Sequence, residues 1–218
     1  MSEELEREAV RVYRRYSAEV VEALGICPWA AKARREGKVR ERVMLEPVTD
    51  LRGTVRAVRE LGADAGVEIG LLLFPRLSIE RTGFERFVAS VRESYGEGAA
   101  DVEMALAPFH PDAAPDLDAP ERLVPFLRRT PDPTIQLVRR SVLASVRRAH
   151  GHGTGFLDPR HLDVTGVLAA DPKIPLHERV ARQNLDTVRE LGVARLQAIL
   201  DDIRQDRDRS YASLSRSA

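Results

Sequence analysis

Apolar residues at Leu5, Ala9, Val12, Tyr13, Tyr16, Val20, Val21 and Leu24 recur every three or four positions behind an acidic first turn. That spacing predicts a long helix with one apolar face. Gly25 fits the left-handed residue that closes such a helix, with Ile26 folding back as its apolar partner. Pro28 suits the first position of a second helix over 28–36, which Gly37 ends. Cys27 is then expected at the N-cap of that helix.

The period changes next. Val39, Glu41, Val43 and Leu45 alternate with Arg40, Arg42 and Met44, which predicts a strand with one solvated face, ended by Pro47. Leu51, Val55, Val58 and Leu61 return to helical spacing after Thr49-Asp50, up to Gly62. Residues 69–74 form a nearly unbroken apolar run, as in a central strand buried on both faces. Ser78 is placed to cap a helix carrying Phe84, Phe87, Val88, Val91 and Tyr95, with Gly96 at its end. Val102, Met104 and Leu106 then alternate as a third strand into Pro108-Phe109-His110-Pro111. Strand, helix, strand, helix, strand with short connections predicts an α/β fold: a small, mostly parallel sheet of three or four strands with a βαβαβ core. Flanking helices and added N- and C-terminal helices complete it.

Beyond the third strand, residues 112–120 read as a surface loop. Ile135, Val138, Val142 and Val146 fall at helical spacing, with Asp132 as the cap. The Gly/His stretch over 150–155 is flexible by composition, and 163–169 suit a short edge strand. Leu176, Val180, Leu185, Val188 and Leu191 mark a helix broken at Gly192, and a last helix starts near Val193. The polar tail beyond Gln205 is expected to fray. The 218 residues suit a single domain over 1–205 followed by a tail over 206–218.

Composition narrows the partners. Lys+Arg and Asp+Glu are equal at 34, so no charge surplus exists to draw the chain to nucleic acid or to an anionic membrane. Lys32, Lys38 and Lys173 are the only lysines, an arginine bias that fits a GC-rich bacterial genome. The single cysteine excludes an intramolecular disulfide, and the acidic start is unlike a signal peptide. No run has membrane-spanning length. A soluble cytoplasmic protein is the expectation.

Chemistry is expected at the carboxyl ends of the strands, which present Glu46, Arg76 and His110. A second helix packed antiparallel to the first strand would return its start, and Cys27, to the same rim. An N-cap thiol faces unpaired N–H groups that favour the thiolate, and a neighbouring imidazole can take and return its proton. Against this stands the plainer reading of Cys27 as a small apolar plug beside Trp29, with His110 merely bonding its loop. Arg76, Arg128 and Arg129 are candidates to clamp an anionic substrate. Metal ligation by Cys27, His110 and Asp112, with His150, His152 and His161 as further nitrogen donors, matches no known ligand spacing. The glycines form neither nucleotide-binding arrangement, so no cofactor is expected.

Taken in order, Leu24-Gly-Ile-Cys-Pro-Trp-Ala30, Pro108-Phe-His-Pro111, Arg129-Thr-Pro-Asp-Pro133 and Leu137-Val-Arg139 resemble the uncharacterised bacterial family "domain of unknown function 1415". The resemblance implies motif positions at Cys27, Pro28, His110, Pro111, Arg129, Pro131, Pro133 and Arg139, and implies no activity. Three departures stand out: Asp112-Ala113-Ala114 replaces an aromatic after the F-H-P segment, Gln136 stands where the family pattern has histidine, and 150–160 looks inserted. The leading expectation is a thiol-dependent enzyme with Cys27 and His110 as the catalytic pair. Trp29, Arg76, Arg128, Arg129 and Arg139 would hold a small anionic substrate. The alternatives are a noncatalytic binding or assembly module, with homo-oligomers as one form, and a metal site at Cys27 and His110.

Overall fold

The computed structural model describes residues 2–27, 29–96, 103–143 and 176–216, with the side chains of 176, 177 and 179 left aside. The expected Gly/His loop, the edge strand over 163–169 and Pro28 lie outside them. The described elements form one sheet between two helical layers. Its strands are β1 (Val39–Val43), β2 (Ile69–Leu73), β3 (Met104–Phe109) and β4 (Thr134–Arg139), in the order β1-β2-β4-β3.

The α/β sheet flanked by helices, with added terminal helices, is the expected architecture; its pairing differs. β1 runs parallel to β2, while β4 pairs antiparallel with both β2 and β3. β1, β2 and β3 thus keep the common direction of a βαβαβ unit, but only one of the pairings is parallel. The cause is the segment read as a helix from Ile135, Val138 and Val142. Ile135 and Leu137 enter one core while Gln136 and Val138 border a cavity on the other face. A strand contacted on both faces satisfies helical and strand periods alike, and β-branched Thr134, Ile135 and Val138 tip the balance toward strand. Asp132 therefore caps no helix.

On one face lie α3 (Leu51–Ala63) and α4 (Arg81–Tyr95). Val55, Val58, Phe84, Val88 and Val91 pack there against Leu72, Leu106, Ile135 and Leu137. The Asp50 side chain accepts from the Gly53 N–H at 3.0 Å to start α3, and Glu80 rather than Ser78 precedes α4.

The other face carries α1 (Ser2–Tyr16), α5 (Pro120–Leu127), α6 (Leu176–Leu191) and α7 (Val193–Arg216). Val12, Tyr16, Leu123, Phe126, Val188, Leu196 and Ile203 meet Ile69, Leu71 and Leu73. α5 falls partly within the expected loop; its Pro120 occupies the first turn, where a missing N–H costs nothing. The chain past Gln205 continues as helix instead of fraying. Arg207 Nε donates to Asp132 Oδ1 at 2.9 Å and the Tyr211 hydroxyl donates to Oδ2 at 2.6 Å. Arg207 also reaches the Pro75 carbonyl.

Between α1 and the short helix α2 (Ala30–Arg35), residues Ser17–Glu22 form a π-helical turn. Gly25 then takes the left-handed conformation at φ 63°, and the Ile26 N–H bonds back to the Val21 carbonyl at 2.9 Å, as its sequence predicts. Trp29 rather than Cys27 stands at the start of α2.

Candidate functional site

The three strand rows facing the second layer run Val39–Ile69–Val138–Ala105, Glu41–Leu71–Gln136–Ala107 and Val43–Leu73–Thr134–Phe109. Small side chains at Ala105 and Ala107 lower the floor toward β3, and the helices above do not fill the space. A cavity of about 720 Å³ results, walled by α1, the π-helical turn, α5 and α6. The extra residue of the π-helical turn lies at this wall, where Ser17 and Val21 border the cavity.

Polar groups stand among the apolar lining. Cys27, Trp29, Arg128, Tyr13 and Tyr16 border the cavity, with Gln136 on the floor and Asn184 on α6. Burial pushes the Cys27 thiol above its ordinary pKa, while the backbone N–H groups of Trp29 and Ala30 and the Arg128 cation act the other way. The expected thiolate is thus opposed by desolvation. Burial likewise pushes the Tyr13 and Tyr16 phenols well above their ordinary pKa and holds them in their protonated form. The Tyr16 hydroxyl donates to the Leu127 carbonyl at 2.6 Å.

Arg128 is the distinctive group. Its guanidinium lies over the Phe109 ring at 5.2 Å, and burial lowers its pKa, opposed by the nearby Tyr16 and Cys27. Among the described residues its side chain has no hydrogen-bond acceptor and no carboxylate partner. The other arginines of the expected clamp are placed differently. Arg129 donates to the Pro111 carbonyl at 2.9 Å and to Gln197 at 2.6 Å, tying the chain to α7. Arg139 donates to the carbonyls of Val67, Gly62 and Asp64, at 2.7, 3.0 and 2.6 Å, and so closes the end of α3. Arg76 is exposed on the loop after β2 and does not border the cavity.

His110 does not join Cys27. Phe109 and His110 are consecutive, and successive strand residues point to opposite faces. Phe109 borders the cavity, so His110 turns to the α3/α4 layer, where its ring lies 5.9 Å from that of Phe84. There it is 5% exposed. Its Nε2–H donates to the Ile79 carbonyl at 3.0 Å, and Nδ1 accepts from the Asp112 N–H at 3.1 Å. Both nitrogens are engaged in holding the loop. Among the described residues no three His, Cys, Asp or Glu side chains converge to hold a metal ion.

Tyr13, Tyr16, Gln136 and Asn184 were missed by sequence reasoning. Two phenols on the apolar face of the first helix were the available signal, since a buried hydroxyl needs a partner. Gln136 carried a weaker one, an amide inside an apolar strand.

No helix among the described residues is long and apolar enough to cross a membrane. Comparison with curated proteins and with solved structures finds no significant match. A family model does match, over residues 8–154, which takes in the sheet and most of the cavity wall but stops before α6. Through that match the chain belongs to the family described as "Protein of unknown function (DUF1415)".

Proposed function

We propose that this chain binds a small organic anion in the cavity over the sheet, with Arg128 receiving its charge. The observation that carries the reading is the contrast among arginines: Arg14, Arg34, Arg129 and Arg139 are all bonded to carboxylates or carbonyls, while Arg128, at the cavity wall, is bonded to none among the described residues. A partly desolvated cation without an anion is costly, and a ligand that supplies one recovers that cost. The test is thermal denaturation with a panel of small organic acids, each paired with its neutral alcohol. Acids should raise the melting temperature more than their alcohols in the native protein, and the difference should vanish in Arg128→Gln. Equal shifts in both proteins would refute the reading.

Thiol chemistry is the second reading, favoured by Cys27 bordering the same cavity with two backbone N–H groups and Arg128 acting to favour its thiolate. In that case the proton acceptor is a group of the cavity or of the ligand, because His110 faces the other layer. A ligand from the first test that slows alkylation of Cys27 by iodoacetamide would support it. Unchanged alkylation at saturating ligand would separate the thiol from the site and leave a binding module.

A further inference from the structure

We propose that the ligand is an organic monocarboxylate with an apolar body, a deepening that rests on the anion-binding reading above. The argument is one of charge count and shape. The other cations at the cavity border are paired within the protein, as is the border carboxylate Glu68. Arg14 bonds Glu41 at 2.8 Å, Arg34 bonds Glu22 at 2.7 Å, and Lys38 bonds Glu68 at 2.8 Å. Among the described residues Arg128 is the border cation left over, and Glu121 at the border is exposed and has no ion-pair partner. A single negative charge on a ligand would meet one cation that has no carboxylate of its own among the described residues. A phosphate dianion or a polyphosphate would bring a second charge that meets no second cation and faces Glu121.

The donors agree with one planar head group. A guanidinium presents two parallel N–H groups that match the two oxygens of a carboxylate. Tyr13 adds an independent observation: it is 6% exposed, borders the cavity, and its hydroxyl makes no hydrogen bond among the described residues. A neutral hydroxyl can donate to a carboxylate oxygen without adding charge. Ala105, Ala107 and Leu71 give the floor an apolar stretch that accommodates a chain or ring behind the head group.

The experiment uses three probes that share one body and differ in head-group charge: octanoate, octyl phosphate and octan-1-ol. Their affinities are measured by calorimetry at a pH where octyl phosphate is a dianion. Octanoate is expected to bind about tenfold or more tightly than either of the others. Arg128→Gln should reduce the octanoate affinity to that of octanol, and Tyr13→Phe should weaken octanoate without changing octanol. Ala107→Leu, which leaves every polar group in place, should weaken all three by occupying the floor. Octyl phosphate binding as tightly as octanoate, with loss of both in Arg128→Gln, would overturn the monocarboxylate assignment and leave the anion pocket standing. Equal binding of octanoate and octanol in the native protein would overturn both.

Discussion

The two faces of the sheet are built to different ends from the same strands. Against α3 and α4, large side chains meet large side chains: Leu72, Leu106 and Ile135 pack under Phe84, Val88 and Val91, and His110 is held at both nitrogens. Against α1, α5 and α6, alanines stand at Ala105 and Ala107, and a guanidinium and a phenol border open space. With the proposed ligand in the cavity, stability and recognition would fall to opposite sides of one sheet. Consecutive residues such as Phe109 and His110 fall under different constraints for that reason alone.

The largest effect should come from the packed face. Phe84→Ala is expected to cost about 3–5 kcal/mol, because it removes a fully buried ring among aromatic neighbours; urea unfolding measures it. On the cavity face, Ala107→Leu should cost less than about 1 kcal/mol, since the added atoms enter space and not packed side chains. A loss as large as that for Phe84 would show that the cavity face is as tightly packed as the other, and the comparison would fail.

Next in size is Asp132, 2% exposed at the far end of the second layer. Asp132→Ala leaves Arg207 and Tyr211 without their acceptor and should cost about 2–3 kcal/mol in the same unfolding measurement. A neutral result would mean that the end of α7 is not anchored there.

Two carboxylates give opposite pH dependences. Burial raises the Asp132 carboxyl, opposed by Arg207 and Tyr211, so the folded state holds that proton more tightly than the unfolded chain. Its contribution is present below the ordinary carboxyl value of ~3.9 and is lost as pH rises through the raised folded value. Asp206 is the reverse. Hydrogen bonding to Arg11 holds it down at about 2, so its contribution is present above ~3.9 and is lost as pH falls toward that value. Stability against pH should therefore lose part of its acid limb in Asp206→Asn, an effect that salt weakens because the seam with Arg11 and Arg15 is open to solvent. Asp132→Asn should flatten the curve on the other side. Identical profiles in both variants would contradict these assignments.

The smallest effect is a change in a rate profile. Alkylation of Cys27 should require a higher pH than that of a free thiol, and Arg128→Gln should move the profile higher still, because Arg128 favours the thiolate. His110→Ala, on the opposite face, should leave it in place. A downward move in Arg128→Gln, or any dependence on His110, would argue against the separation of the two faces.

Local stops and starts were legible in the sequence: Gly25, Gly37, Gly96 and Gly192 all take left-handed conformations at helix ends, and Asp50 caps α3. These features depend on one or two residues and the backbone. β4 was not legible as a strand because burial on both sides erases the alternation that identifies one. The helix past Gln205 was hidden for a different reason. Its polar residues anchor it through Asp132, a partner far off in sequence. The site divides the same way. Cys27, Trp29 and Arg128 border one cavity, while His110, Arg129 and Arg139 serve loops and helix ends. Return of the second helix to the strand rim predicts Cys27 beside His110, but the grouping in space follows strand alternation and the register of β4.

The insertion of β4 also constrains how the protein can be made. β2 and β3 never touch through hydrogen bonds; each waits for a strand that leaves the ribosome after both. A nascent chain ending at Pro133 would hold a two-stranded parallel ribbon and a solitary third strand, with two unsatisfied edges exposed. Such long-range closure slows folding and favours an all-or-none transition. Shortened versions that keep the apparent βαβαβ unit but lack residues 134–139 should be insoluble, and the arrival of β4 is the moment at which the floor beneath the cavity comes into being.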